Sequence, residues 1–163
     1  MDENMAGSSV IDVPTSEAMV DFGRRLAGRL RAGDVVLLHG DLGAGKTTLV
    51  QGMARGLGVE GPVQSPTFTL VGEHAGLDPT GQPLRVYHLD LYRLDDPEAL
   101  ETIGYDDYLH PDDGISLIEW PERAEGWLPE RFLLIAIDYR EGGGRAVTVT
   151  PVPANGWPSE LLP

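Results

Sequence analysis

Val35-Val36-Leu37-Leu38-His39-Gly40-Asp41-Leu42-Gly43-Ala44-Gly45-Lys46-Thr47-Thr48 is the stretch whose reading decides the fold. It contains a glycine, a four-residue spacer and then Gly-Lys-Thr. The apolar, β-branched run Val35–Leu38 before the glycine reads as a buried strand. After it, Leu49, Val50, Met53, Ala54 and Leu57 recur at the spacing of one helix face. A strand therefore feeds a glycine-rich turn that opens a helix, the context in which this motif forms a phosphate-binding loop.

The chemistry follows from the residue types. Gly40, Gly43 and Gly45 permit backbone conformations closed to other residues and remove the Cβ atoms that would hold an anion away. The loop amides, from Asp41 through Leu42, Gly43, Ala44, Gly45, Lys46, Thr47 and Thr48, can form a nest for phosphate oxygens at the positive end of the helix. Lys46 has the length to reach the β- and γ-phosphates, and the Thr47 hydroxyl suits Mg²⁺. Nucleoside triphosphate binding is the expectation.

At 163 residues the chain is expected to form one domain. It carries 26 acidic against 12 Lys and Arg side chains, a net charge of −14. That sign disfavours direct DNA binding, whose affinity comes from Lys and Arg on phosphates. Absence of cysteine excludes disulfides, thiolate nucleophiles and zinc–thiolate sites. No apolar run reaches spanning length and no signal-peptide pattern is seen, so a cytoplasmic protein without membrane attachment is expected. Lys46 is the only lysine, which leaves none for a guanine-reading Asn-Lys-x-Asp loop and favours ATP over GTP.

Upstream, Val10–Val13 suits a short edge strand, and Thr15 or Ser16 can cap a helix that buries Met19, Phe22, Leu26 and Leu30. Downstream, Ser65-Pro66-Thr67 reads as a turn and Thr67–Leu70 as a strand by alternation. Its hydroxyls either satisfy local backbone or belong to a switch-like loop beside the γ-phosphate. Gly72 to Pro83 reads as a loose hairpin connection. In the strand Leu84–Arg93, Val86, His88, Asp90 and Tyr92 share a face too polar for core unless it meets solvent or nucleotide.

A proline-started helix follows Asp95-Asp96, and the acids around Tyr105 and Tyr108 read as a solvated loop whose spacing matches no calcium site. Ile115-Ser116-Leu117-Ile118-Glu119 is an apolar strand ending on an acid. Beside a phosphate loop, that acid is placed to meet Mg²⁺ or activate water; Asp90 competes, but the strand of Glu119 is more wholly apolar and so more central. Trp120 could stack on the nucleotide or a partner, or plug the core beneath the site, and the core is the expectation. Phe132–Asp138 and Arg145–Thr150 flank a glycine-rich hairpin tip. The four histidines form no helix-spaced metal pair.

Gly40–Thr48, Ser65-Pro66-Thr67-Phe68-Thr69-Leu70, Tyr87-His88-Leu89-Asp90-Leu91-Tyr92-Arg93 and Ile118-Glu119-Trp120-Pro121, in that order and spacing, resemble the TsaE (YjeE) family. Those proteins are the ATPase subunits of the bacterial machinery that makes threonylcarbamoyladenosine in tRNA. The resemblance implies that Lys46 and the loop amides hold ATP and that Thr47 and Glu119 meet Mg²⁺. It implies that Asp90 supports hydrolysis and that Thr67 lies in a mobile loop at the γ-phosphate, so that Asp90, Glu119 and Thr67 are the catalytic candidates. It also implies an ATPase weak alone and working with TsaB and TsaD, with tRNA met only through that complex. Where the family pattern often has a threonine, the first helix has Met19. Arg93 is a candidate arginine finger in cis, with a partner-supplied residue the alternative.

The expected architecture is a three-layer α/β P-loop nucleotide-binding fold with a mixed parallel and antiparallel sheet. Residues 1–9 are expected to be disordered, 10–150 to form the ATPase domain and 151–163 to be a flexible, proline-rich tail. Two other functions share the phosphate loop. A small-molecule kinase would need an arginine-bearing lid, which the arginine-free Gly72–Pro83 loop does not supply. A module holding nucleotide without turnover would lack partner-stimulated hydrolysis.

Overall fold

A computed structural model describes residues 7–66, 68–124 and 126–162. In chain order its main elements are β1 (Ser9–Val13), α1 (Ser16–Ala27), β2 (Val35–Gly40), α2 (Lys46–Gly56), β3 (Val71–Leu77) and β4 (Pro83–Asp90). Then come α3 (Glu98–Thr102), α4 (Tyr105–Leu109), β5 (Gly114–Glu119), β6 (Phe132–Tyr139) and β7 (Arg145–Val152). The strands form one sheet in the order β1-β7-β6-β2-β5-β4-β3. β4, β5, β2 and β6 run parallel in its centre, while β3 on one side and β7 and β1 on the other pair antiparallel.

Alternation along the central strands makes three layers. Val36 and Leu38 face one way, with Ile115, Leu117, Leu133 and Ile135, and bury the apolar stripes of α1 and α2. Val35 and Leu37 face the other, with Leu89 and Ile118, against Leu100, Tyr105 and Leu109 of α3 and α4. Helix α1 starts where Thr15 Oγ1 accepts from the Ala18 amide at 3.0 Å. Its Met19, Phe22 and Leu26 are buried as the periodicity predicts.

Four expectations are corrected. Phe68–Leu70 is not a strand: Leu70 has φ 69°, Phe68 is 88% exposed, and pairing with β4 begins only at Val71. β4 ends at Asp90, whose amide donates to Leu70 O at 3.0 Å, and Ser65 lines the cavity at that strand end. Residues 72–77 are not a loose connection but most of β3. Gly76 is there for close approach, since a Cβ on it would meet Leu57 O at 2.6 Å. The acids near Tyr105 lie on and around α4, which buries Tyr105 and Leu109.

The last correction concerns the termini. Residues 151–162 are not a flexible tail: β7 runs to Val152, and beyond a 3-10 turn Trp157 and Leu161 are buried in the α1/α2 core. Arg131 stacks on the Trp157 ring at 3.7 Å and donates from Nε to Gly156 O at 2.8 Å. Arg29 also reaches the segment, donating to Glu160 O. At the other end, residues 1–6 lie outside the described residues, but Ser8 hydrogen-bonds Thr150 through their hydroxyls and Ser9 already pairs with Val149.

Candidate active site

The parallel strands β2, β5 and β4 end side by side, in the register Leu38↔Glu119 and Glu119↔Asp90. Their carboxyl edge is where a sheet of this class opens to ligand. β2 runs out into the loop 41–45, and α2 begins at Lys46. Gly43 and Gly45 have φ of 80° and 120°, conformations that a side chain would strain. A cavity of about 520 Å³ opens there. It gathers Lys46, Thr47, Asp90, Glu119, Tyr92 and Trp120, with Leu42, Gly43, Gly45, Thr48, Ser65 and Arg93 also on its walls. Asp41 and Ala44 do not line it; Asp41 is exposed and Ala44 is packed into the core below.

The two candidate metal contacts meet. Thr47 Oγ1 lies 3.2 and 3.3 Å from the two carboxylate oxygens of Glu119 and donates to them. Glu119 is buried, and His88 Nε2 lies 2.6 Å from its Oε2. An ionised carboxylate only accepts, so the Nε2–H form of His88 makes this bond. Asp90 is held at both oxygens: Ser65 donates its hydroxyl to Oδ2, and the Tyr92 amide donates to Oδ1 at 3.0 Å. Thr67, the third catalytic candidate, lies outside the described residues.

Lys46 is buried at the cavity floor. Its ammonium donates to Gly40 O and, at 3.0 Å, to Asp41 O, and lies 3.9 Å from the Trp120 ring centre. Burial pulls its pKa below the ordinary lysine value; Glu119, Glu122, Asp90 and Asp41 oppose that shift by stabilising the charge. Trp120 is therefore a wall of the site and not core beneath it. It has φ 59°, packs on Tyr92 at 4.9 Å between centroids, and has the Arg123 guanidinium 6.0 Å from its ring centre. Arg93 lies on the cavity wall and its guanidinium sits 5.2 Å from the exposed Phe68 ring.

Thr47, Glu119 and Asp90 offer hard oxygen donors, the set that Mg²⁺ takes. Among the described residues no three His, Cys, Asp or Glu side chains converge as a metal cage. Sequence reasoning did not find His88 as the partner of Glu119. The signal was its position two residues before Asp90 on one strand face. Nor did it place Tyr139 and Arg145 beside the loop, since hairpin spacing says nothing of what the hairpin touches.

A family model described as threonylcarbamoyl adenosine biosynthesis protein TsaE matches residues 13–147. The tRNA threonylcarbamoyladenosine biosynthesis protein TsaE of Haemophilus influenzae is 47% identical over 132 residues, covering 78% of this chain and 80% of that protein. The protein of the same description from Bacillus subtilis is 42% identical over 122 residues, covering 75% and 72%. Among solved structures, the crystal structure of Bacillus subtilis YdiB superposes with a TM-score of 0.75 at 33% identity, covering 92% of this chain and 89% of that one.

Proposed function

Because the chain belongs to the TsaE family of threonylcarbamoyl adenosine biosynthesis proteins, we propose that it is a Mg²⁺-dependent ATPase supporting tRNA threonylcarbamoyladenosine formation with TsaB and TsaD. The observation that carries the reading is the convergence of Lys46, Thr47, Asp90 and Glu119 on one cavity at the sheet's carboxyl edge. Such a set suits hydrolysis because phosphoryl transfer needs positioning and charge neutralisation more than covalent help.

In this reading the loop amides and Lys46 receive the triphosphate, with Lys46 exchanging its carbonyl partners Gly40 and Asp41 for phosphate oxygens. Thr47 and Glu119 would hold Mg²⁺, which when bound neutralises charge on the β- and γ-phosphates. His88 keeps the Glu119 carboxylate turned toward Thr47. Asp90, fixed by Ser65 and the Tyr92 amide, stands across the cavity as the residue to orient water. Arg93 lies on the cavity wall, and Arg123 sits near the Tyr92 and Trp120 rings. A second cavity of about 300 Å³ adjoins the other flank of the loop between Thr15, Met19 and Arg145, with room for the nucleoside.

The purified chain mixed with TsaB, TsaD, tRNA and threonylcarbamoyl-adenylate should support repeated rounds of modification. Lys46→Ala and Glu119→Ala should stop them after the first. Equal turnover by either variant contradicts the proposal. ATP-dependent phosphorylation of a metabolite by the isolated chain would establish a kinase instead.

A further inference from the structure

We infer that Tyr139 and Arg145, a cross-strand pair on the β6–β7 hairpin, are positioning residues that set the phosphate loop in its anion-binding form. The inference rests on the nucleotide reading above. The two residues are register partners, and the Arg145 guanidinium stacks 4.3 Å from the Tyr139 ring centre. Each gives one hydrogen bond to the back of the loop. Tyr139 donates its hydroxyl to Leu42 O at 3.2 Å, and Arg145 donates from Nε to Ala44 O at 2.8 Å.

Peptide geometry makes those contacts consequential. A trans peptide is rigid and planar, so its N–H points opposite to its C=O. Only Val152–Pro153 is cis among the described residues. Holding Leu42 O toward the hairpin therefore turns the Gly43 N–H away from it, and holding Ala44 O does the same for the Gly45 N–H. Gly43 and Gly45 are the loop's positive-φ residues, where a peptide flip meets least steric resistance. A flip at either would put a carbonyl oxygen where an anion needs a donor. The hairpin is anchored in turn: Arg140 Nε pairs with Asp12 of β1 at 2.7 Å, and Arg145 Nη1 donates to Gly144 O at 2.9 Å.

Arg145 also lines the smaller cavity beside Thr15 and Met19, so a direct contact to the nucleoside is the competing role. Calorimetric titration of the full chain with Mg·ATP and with Mg·tripolyphosphate, which has no nucleoside, separates the two. Arg145→Ala should weaken both ligands by about tenfold and Tyr139→Phe by about threefold, the scale of one charge-assisted and one neutral hydrogen bond. Arg145→Lys, with a donor still in reach of Ala44 O, should recover much of the loss. The nucleotide-free melting temperature of Tyr139→Phe should stay at the parent value, which a merely structural loss would not allow.

Retention of tripolyphosphate binding by Arg145→Ala alongside loss of ATP would overturn the brace in favour of a nucleoside contact. Parent-like binding by both variants also overturns it. If Arg145→Ala unfolds, Tyr139→Phe decides alone, since it removes one hydroxyl. A parent chain that binds neither ligand sinks the nucleotide reading itself and the brace with it.

Discussion

His88 Nε2 lies 2.6 Å from Glu119 Oε2 in the interior of the sheet, with the imidazole fully buried. Among the described residues its Nδ1 has no hydrogen-bond partner. The histidine thus bonds the carboxylate that also accepts from Thr47. Partners of this kind orient metal-facing groups, and their removal typically costs about 10- to 100-fold in metal affinity.

His88→Leu should therefore raise the Mg²⁺ concentration needed for half-maximal ATP turnover by about tenfold or more. ATP binding measured in EDTA should be unchanged. Buried Glu119 would also lose a donor, lowering stability by about 1–3 kcal/mol. An unchanged Mg²⁺ requirement would show that Glu119 is placed without its histidine.

Lys46 should separate function from stability. Its ammonium is buried and held below its ordinary pKa by that burial, so the free protein carries a cost at this residue. Lys46→Met should lower Mg·ATP affinity by about 100-fold, the loss of a charged contact to phosphate, while leaving unfolding free energy equal to or above the parent's. Chemical denaturation and calorimetry on one sample check both. A variant that is markedly less stable would mean that the ammonium is a net stabiliser of the empty loop.

The C-terminal segment should behave as core. Trp157 is 7% exposed and packed by Arg131, and Leu161 lies in the same cluster. Trp157→Ala should cost about 3–5 kcal/mol in urea unfolding, as for other large-to-small core changes. A change under 1 kcal/mol, on the order of a surface substitution, would put the segment back outside the fold.

Alkaline pH should weaken the face carrying α4. Burial, with a 2.8 Å hydrogen bond donated to Asp113, pushes the Tyr87 pKa from 10.0 up to about 12. Burial raises Tyr105 and Tyr108 as well. The folded state then holds these protons where the unfolded chain has released them, so this stability is complete below pH 10 and declines as pH rises from 10 through 12. Tyr87→Phe should flatten that decline in denaturation series across the window. An identical slope would contradict it.

The fold was legible wherever apolar period and flanking turns agreed. Val35–Leu38, the stripe of α1 and the mostly apolar Ile115–Ile118 told of their own burial, and the glycine–lysine turn told of its own chemistry. Residues 72–77 hid a strand because Gly76 is there for close approach to Leu57, a fact of three dimensions. The prolines after Pro151 resembled a tail because nothing local reveals that Trp157 joins the core cluster and is stacked by Arg131. At the site, residues on strand ends could be nominated singly. Pairings such as His88 with Glu119, Ser65 with Asp90, and Tyr139 and Arg145 with the loop depend on register between distant segments, which one sequence does not display.

Phosphate release from Mg·ATP, measured with the purified chain alone and with TsaB and TsaD added, tests the central claim most directly. The account predicts slow release by the chain alone, faster release with the partners, and none above buffer in Lys46→Ala under either condition. Release by Lys46→Ala equal to the parent's, or none from the parent in either mixture, would contradict it.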